Sequence, residues 1–229
     1  MDYRYNHSSR WGVHCTLIQK KQLIIVGAGG FGREVYSWLT HHQDNNNKWI
    51  IKGFIDDNAE ALLNLEYSVG IIGKITGYIP KEDELLVLGI GVPKTKERIV
   101  KYLKERKAQF YTLIHPTSIL GTNVKIGEGA IICPYSLLTN DINVGNFVTI
   151  NANSTVGHDV SINDFTTLSG HCDVTGHCKV GKGVFMGSHA TVTPKTVVED
   201  YAFIGAGSVG IRKVKANTTI LGVPGKKIY

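Results

Sequence analysis

A repeat of six residues runs through the second half of the chain and restricts its fold more than any other feature. From Leu120 to Ile204 an aliphatic residue or, once, a methionine stands at every sixth position, fifteen times without interruption. Four residues after each of them comes Val, Ala, Ser, Ile, Thr or Cys. Such a period is typical of a parallel β-helix, in which each hexad makes one short strand and a corner. Three hexads complete a coil, so the repeat predicts five stacked coils, with equivalent residues of successive coils about 4.8 Å from each other.

The segment before this repeat has another pattern, in which strand-like and helix-like stretches alternate. The predicted strands lie at 23–26, 49–57 and 84–91, and the predicted helices are FGREVYSWLTHH and PKTKERIVKYLKE. This order ends on FYTLI at 110–114 and predicts a small Rossmann-like α/β domain with a parallel sheet. We therefore divide the chain into an unassigned extension at 1–20, this α/β domain at 21–112 and the β-helix at 113–229.

A glycine-rich stretch, VGAGGFGREV, follows the first predicted strand. Its glycines at 27, 29 and 32 fit the G-x-G-x-x-G pattern of dinucleotide-binding loops. A full dinucleotide site is built from two mononucleotide-binding halves, and a domain of about 90 residues has room for one half. The sequence therefore disfavours a nicotinamide-dependent redox enzyme, and the loop is interpreted as a phosphate-sized anion site at a helix N-terminus.

Composition argues against several other classes of protein. No apolar run approaches the roughly 20 residues that cross a bilayer, and the N-terminal stretch MDYRYNHSSRWGVHC lacks the apolar core of a signal peptide. Much of the net charge of +6 comes from the predicted helix PKTKERIVKYLKE, whose basic face we expect to be solvated. Without interleaved aromatic residues this face does not indicate nucleic-acid binding. The four cysteines are too scattered for a disulfide framework, which favours the cytoplasm.

Several stretches of the sequence resemble one family of enzymes. GVFMGSHATVTPKTVVEDYAFIGAGSVG and ILGVPGKKI resemble the hexapeptide-repeat acyltransferases. With the glycine-loop domain and the stretch NANSTVGHD, the chain is similar to the sugar acyltransferases of the sialic acid O-acetyltransferase and bacillosamine-pathway N-acetyltransferase type, over residues 22–229. The resemblance implies a left-handed β-helix and a homotrimer with active sites between subunits. It also implies acetyl-CoA as the acyl donor and a sugar or nucleotide sugar as the acceptor.

One histidine is the main candidate for the chemistry of acyl transfer. Transfer from a thioester requires a base that deprotonates the attacking amine or hydroxyl, and histidine suits this task near neutral pH. His158 is followed by Asp159, and a carboxylate beside an imidazole can hold the ring in one tautomer. Residues 151–159 match the family motif N-x-x-S-x-V-x-H-[DE] at every position. The resemblance implies that His158 is the general base, Asp159 its partner and Asn151 a contact to the acceptor sugar.

The resemblance also implies which residues contact acetyl-CoA. Gly176 lies three hexads, or one predicted coil, after His158, where a free backbone N–H could stabilise the oxyanion that forms during transfer. The other candidate cofactor contacts are Thr167, Ser188, Gly205 and Ala206. Related enzymes often carry a histidine where this chain has Thr167, so we expect that contact to be weaker or absent.

In the resembled family the small α/β domain binds the acceptor. The residues that match its acceptor contacts are Gly29, Gly30, Phe31, Asp56 and Asp57. After the strand at 84–91, Val92 and Pro93 stand where nucleotide-sugar enzymes tend to have asparagine. This departure weakens the case for a uridine nucleotide and leaves a free sugar such as a sialic acid, or a thymidine-linked sugar, as alternatives.

A metal site is not expected from the stretch GHCDVTGHC. Cys172 and Cys178 stand at the small inward position of their hexads, and His171 and His177 belong to neighbouring hexads on different faces of the prism. Four ligands around zinc must converge on one point, so we predict no metal. His171 and His189 are one predicted coil apart and should stack.

The function that these features favour is acetyl-CoA-dependent acetylation of a sugar in surface glycan or polysaccharide biosynthesis. The expected acceptor group is the amine of a nucleotide-linked 4-amino-dideoxy sugar. O-acetylation of sialic acid or another sugar hydroxyl is the alternative. A hexapeptide enzyme of another class, such as a serine or maltose acetyltransferase, and a non-catalytic β-helix scaffold also stay open.

Overall fold

The computed structural model describes residues 21–43 and 49–229, so the predicted extension at 1–20 lies outside the described residues. In the first domain the elements are β1 Lys21–Val26, α1 Gly30–Gln43, β2 Trp49–Ile55, β3 Ile71–Gly73, β4 Glu84–Leu88 and α2 Pro93–Lys104. The four strands are parallel and are ordered β3-β2-β1-β4. The sheet therefore grows to one side of β1 and then to the other. Ligands of open α/β sheets bind at such a reversal, outside the carboxyl ends of the strands.

The predicted α/β domain is confirmed, with two differences in its strands. The edge strand β3 was not predicted, because so short a strand shows no period. The stretch FYTLI is divided between the domains. Phe110 forms a bridge with Leu86 of β4, whereas Leu113–Ile114 is the first strand of the β-helix.

The second domain is built from short strands that recur with the hexad over most of its length. Strands β5 to β24 are, in chain order, Leu113–Ile114, Ile119–Leu120, Lys125–Ile126, Ile131–Ile132, Leu137–Leu138, Asn143–Val144, Thr149–Ile150, Thr155–Val156, Ser161–Ile162, Thr167–Leu168, Asp173–Val174, Lys179–Val180, Phe185–Met186, Thr191–Val192, Val197–Val198, Phe203–Ile204, Val209–Gly210, Lys213–Val214, Thr219–Leu221 and Lys226–Lys227. They form three parallel faces. The first face begins with β5 and the second with β6, and the third begins with β7.

The β-helix has six coils rather than the predicted five, because strands continue beyond both ends of the unbroken repeat. Ile114 adds one strand before Leu120, and the period shortens between Gly210 and Val214 without ending the third face. The last strand, β24, turns back and pairs antiparallel with β23. The fold is the left-handed parallel β-helix that the resemblance implied.

Stacking of equivalent residues holds the coils together. Thr155 pairs with Asp173 and Val156 with Val174, in each case one coil further along the chain. The sixth-position aliphatic side chains from Ile132 to Ile204 form one continuous buried core with the small residues of the second inward position. From Asn123 to Gly207 the third residue of each corner adopts a left-handed backbone, for example Asp159 at φ 58° and His177 at φ 60°. We call these positions the corner residues.

Helix α2 joins the two domains by packing on the first face of the β-helix. Glu97 receives hydrogen bonds from Lys182 and from Tyr201 of the second domain, at 2.5 and 2.7 Å. The predicted solvated basic face therefore needs one correction, since Lys96 is fully buried in this contact. In the described parts of the chain, neither helix is long and apolar enough to cross a membrane.

Candidate active site

His158 and Asp159 lie at a corner between the second and third faces, which we call the His158 edge. His158 Nδ1 lies 2.7 Å from Asp159 Oδ2. An ionised carboxylate can only accept a hydrogen bond, so the imidazole carries its proton on Nδ1 and leaves the lone pair of Nε2 free. Both side chains are about half exposed, at 57% and 48%. The pair is therefore a histidine with a free basic nitrogen that a carboxylate orients, open to solvent.

Gly176 lies one coil beyond His158 on the same edge. A Cβ atom added to Gly176 would lie 2.7 Å from His158 Nε2, closer than non-bonded carbon and nitrogen atoms normally approach. The imidazole of His158 therefore occupies the space that a side chain at position 176 would fill. The predicted base and the predicted oxyanion donor are next to each other in the structure.

The remaining candidate contacts lie at the corners between the first and second faces, which we call the Ser188 edge. Asn151 follows β11, Ser188 follows β17, and Gly205 and Ala206 follow β20. Ser188 and Ala206 are exposed, and Gly205 is buried beneath Leu221. Within one chain the second face separates this edge from His158. On the β-helix these predicted residues therefore lie in two groups, one on each edge.

Thr167 does not lie on either edge. It is outward on the first face, 4% exposed, and its hydroxyl donates a hydrogen bond of 2.6 Å to the carbonyl oxygen of Gly91 in the first domain. The predicted cofactor contact at Thr167 is therefore not supported, because the docked α/β domain covers this side chain and uses its hydroxyl.

A cleft of about 420 Å³ at the carboxyl ends of β1, β2 and β4 brings together five of the six predicted acceptor contacts, all except Asn151. Gly29, Gly30 and Phe31 line it where α1 begins, and the first N–H groups of a helix have no partner within the helix. Asp56 accepts hydrogen bonds from the backbone N–H groups of Ala28 and Asn58, at 2.7 and 2.9 Å. Asp57 accepts two from Thr76. The carboxylates thus shape the cleft, and each oxygen keeps a lone pair for a ligand.

The chain is similar to several known proteins. Residues 22–103 match the family described as PglD N-terminal domain. UDP-N-acetylbacillosamine N-acetyltransferase of Bacillus subtilis is 27% identical over 116 residues, which span 49% of this chain and about half, 51%, of that relative. The acetyltransferase domain of PglB from Neisseria gonorrhoeae, solved with acetyl coenzyme A, has a TM-score of 0.81 at 20% identity and covers 91% of this chain and 100% of that one.

A third comparison extends the likeness over both domains. PerB from Caulobacter crescentus, solved with CoA and GDP-perosamine, has a TM-score of 0.78 at 21% identity and covers 90% of this chain and 96% of that one. The chain has the fold of these hexapeptide-repeat sugar acetyltransferases. The resemblance inferred from the sequence is confirmed, and the cleft of the first domain lies within the residues that match the PglD N-terminal domain.

One residue of the candidate active site was not predicted from the sequence. The Nδ1 atom of His177 lies 3.6 Å from Asp159 Oδ2, and the His177 ring packs edge-on against His158 with centroids 4.8 Å apart. One ligand atom from each of the three residues lies within 4.8 Å of the others. Two ligands of one tetrahedral zinc ion are about 3.3 Å apart, whereas the 2.7 Å between His158 and Asp159 is hydrogen-bond spacing.

His171 lies on the Ser188 edge and stacks on His189 as predicted, with centroids 4.7 Å apart.

Proposed function

We propose that this protein is an acetyl-CoA-dependent N-acetyltransferase that acts on the amino group of a nucleotide-linked 4-amino-dideoxy sugar, in the cytoplasm. The observation that carries the proposal is the hydrogen bond from His158 Nδ1 to Asp159, which leaves Nε2 free beside Gly176. The relatives with this fold include enzymes whose names state N-acetylation of amino sugars. The described cysteines, Cys133, Cys172 and Cys178, are free thiols, which supports a reducing compartment.

The proposed reaction uses His158 first as a base and then as an acid. Nε2 takes a proton from the acceptor amine as the amine nitrogen attacks the thioester carbonyl of acetyl-CoA. The carbonyl π electrons move to oxygen, and the backbone N–H of Gly176 stabilises this oxyanion. When the carbon–sulfur bond breaks, the CoA sulfur leaves with the bond electrons and receives the proton from His158. The products are the N-acetyl sugar and free CoA, and a positioned base of this kind contributes about 10² to 10⁴ in rate.

We further propose a homotrimer in which the site forms between subunits. The supporting observation is that His158 and Gly176 lie on one edge of the prism, whereas Ser188, Gly205 and Ala206 lie on another. A neighbouring copy that sets its Ser188 edge against the His158 edge would complete one site. Acetyl-CoA would then lie between two β-helices, with its thioester at His158.

The acceptor would bind through both domains. Its phosphates would contact the backbone N–H groups of Gly29, Gly30 and Phe31, and its sugar or base hydroxyls would contact Asp56 and Asp57. Asn151 would contact the sugar. A free sugar with no phosphate would use little of this cleft, and we therefore prefer a nucleotide-linked acceptor.

A thiol-release assay tests this function. Purified protein, acetyl-CoA and a panel of UDP-, dTDP- and GDP-linked amino sugars and sialic acids are incubated, and free CoA is measured. We expect release with at least one nucleotide-linked amino sugar and none with His158→Ala. Hydroxylamine then separates the two acylation types, because it cleaves O-acetyl esters and leaves amides intact. A hydroxylamine-sensitive product would favour the alternative, O-acetylation, and no release with any acceptor by a folded protein would contradict the proposal.

Mixing two inactive variants tests the shared site. His158→Ala removes the base from one edge, and Ser188→Trp blocks the exposed Ser188 of the other edge. After unfolding and refolding together, mixed trimers would contain sites in which both edges are wild type. Recovered activity supports sites between subunits, whereas no recovery in verified mixed trimers would place the whole site within one chain.

A further inference from the structure

His177 and Asp159 occupy equivalent places on successive coils of the His158 edge. They are one coil apart, and both are corner residues with left-handed backbones, at φ 60° and φ 58°. The backbone N–H of His177 donates a hydrogen bond of 2.9 Å to the carbonyl oxygen of His158. The stacking of the coils therefore places the imidazole of His177 beside the His158–Asp159 pair, edge-on to the His158 ring.

Two imidazoles face the same carboxylate oxygen. Oδ2 of Asp159 lies 2.7 Å from His158 Nδ1 and 3.6 Å from His177 Nδ1. The hydrogen bond from His158 and, to a lesser extent, the charge of a protonated His177 hold the pKa of the Asp159 carboxyl below its ordinary value. Asp141, the corner residue one coil before Asp159, receives its own hydrogen bond from Asn123. In this stack Asp159 therefore lies between an imidazole, that of His177, and an acidic residue, Asp141.

We propose that His177 is a positioning residue of the acyltransferase site, which directs a ring N–H at Asp159 and so holds the carboxylate on His158. The inference rests on the proposed function, and His177 itself touches neither the acceptor nor the acyl group in it. With Asp159 held from two sides, its Oδ2 stays in line with His158 Nδ1, and Nε2 points to the reacting amine. Without His177, the exposed carboxylate would rotate into solvent and the imidazole would sample both tautomers.

The chain itself supplies the substitutions that separate this role from ring packing. Asn153 and Phe165 are corner residues of the same β-helix, at φ 58° and φ 62°. Both residue types therefore fit a left-handed corner. His177→Asn keeps an N–H donor near the place of Nδ1 and loses the ring, whereas His177→Phe keeps an edge-on ring and loses the donor. His41→Ala is the histidine control, because His41 is exposed in α1 and lies outside both edges of the β-helix.

Steady-state kinetics provide the first test, with EDTA present to remove metal ions that the three residues could bind. For His177→Phe we expect kcat to fall about three- to fivefold, within the range of one lost hydrogen-bond donor, with both KM values unchanged. His177→Asn and His41→Ala should keep wild-type kcat. A His177→Phe variant as active as wild type, or a loss with Asn and not with Phe, would overturn the proposal.

A double-variant comparison shows whether His177 acts through Asp159. In an Asp159→Asn background the additional change His177→Phe should have no further effect on kcat, because residues that act as one unit are not additive. Independent, multiplied losses would overturn the positioning role.

A measurement without substrate keeps this inference separate from the proposed function. Long-range proton–nitrogen NMR spectra of ¹⁵N-labelled histidine report which ring nitrogen of His158 carries the proton. The His158 signals are assigned by their loss in His158→Ala. We expect the Nδ1–H tautomer in wild type and in His177→Asn, and a mixture of tautomers in His177→Phe. An unchanged tautomer in His177→Phe would refute the inference, even if the acceptor of the enzyme proved to be something other than an amino sugar.

Discussion

The hydroxyl of Thr167 on the β-helix donates a 2.6 Å hydrogen bond to the carbonyl oxygen of Gly91, a residue that lines the cleft of the first domain. This bond ties the cleft to the domain that carries His158. It gives Thr167 a role in domain placement, where the resemblance had suggested a cofactor contact.

Replacing Thr167 by valine separates these two roles. Thr167→Val keeps the shape of the side chain and leaves the Gly91 carbonyl without this partner, a loss worth about 0.5 to 1.5 kcal/mol. We expect a lower melting temperature and a two- to tenfold higher KM for the acceptor, with the KM for acetyl-CoA unchanged. A higher KM for acetyl-CoA with an unchanged KM for the acceptor would instead support a contact between Thr167 and the cofactor.

Lys96 makes the stability of the protein depend on pH. Its ammonium donates to Phe147 O at 2.9 Å, Thr166 O at 3.1 Å and Thr149 Oγ1 at 3.2 Å, in a fully buried site. Burial lowers its pKa from 10.5 to about 7. Between these two values the unfolded chain binds the proton more tightly than the folded one, so the free energy of unfolding rises as the pH rises.

The matched variants for this prediction are Lys96→Met and Lys101→Met, since Lys101 is an exposed residue of the same helix. Chemical unfolding is measured at intervals from about pH 7 to about pH 10, the window between the two pKa values. The free energy of unfolding should rise by roughly 2 to 4 kcal/mol more in wild type and Lys101→Met than in Lys96→Met, from about 1.4 kcal/mol per unit of pKa shift. Parallel curves for all three proteins would show that Lys96 does not titrate in this window.

Gly176 tests the geometry of the base. In Gly176→Ala the new Cβ would lie 2.7 Å from His158 Nε2 and would displace the exposed ring. A displacement of about 1 Å can cost 100-fold in rate, so we expect kcat to fall by about that factor. Gly170→Ala is the stability control, because its nearest neighbour, Ala152 O, would be 3.5 Å from the new Cβ. If Gly176→Ala has the melting temperature and the kcat of wild type, Gly176 is not part of the active site.

The sequence predicted the β-helix well because its signal repeats. Each hexad from Leu120 to Ile204 restates the same inward position, and the structure buries these side chains from Ile132 onward. The stacking of equivalent residues on successive coils also predicted the contact of His171 with His189. The same rule predicts that His177 lies next to Asp159, because the two residues are one coil apart. The family motif at residues 151–159 does not include His177, so the motif alone does not indicate this contact.

The placement of Thr167 and Lys96 could not be predicted in the same way. Both depend on how the α/β domain packs on the first face of the β-helix. Contacts between two domains leave no repeating pattern in the sequence. Lys96 is one of several basic residues in its helix, and only the packed structure distinguishes the buried one. Likewise, the resemblance assigns Ser188 and His158 to the same active site, whereas the structure places them on different edges of one β-helix.

The glycine loop offers the last prediction, because its glycines differ in what surrounds them. A Cβ at Gly29 would have no heavy atom within 4 Å, whereas a Cβ at Gly32 would lie 2.0 Å from Gly27 O. Gly32→Ala should therefore destabilise the domain and say little about binding. Gly29→Ala should leave the fold intact and place a methyl group on the cleft surface where an acceptor phosphate approaches the backbone.

For Gly29→Ala we expect the KM of the nucleotide-linked acceptor to rise about tenfold or more, since a lost hydrogen bond to a charged group costs about 1.5 to 3 kcal/mol. The KM for acetyl-CoA and the melting temperature should stay at wild-type values. Gly70→Ala is the control, because Gly70 also has open space around its Cα and lies outside the cleft. Its acceptor KM should equal that of wild type. If Gly29→Ala binds the acceptor as wild type does, the phosphates do not contact this loop, and a free sugar becomes the better acceptor because it needs no anion site.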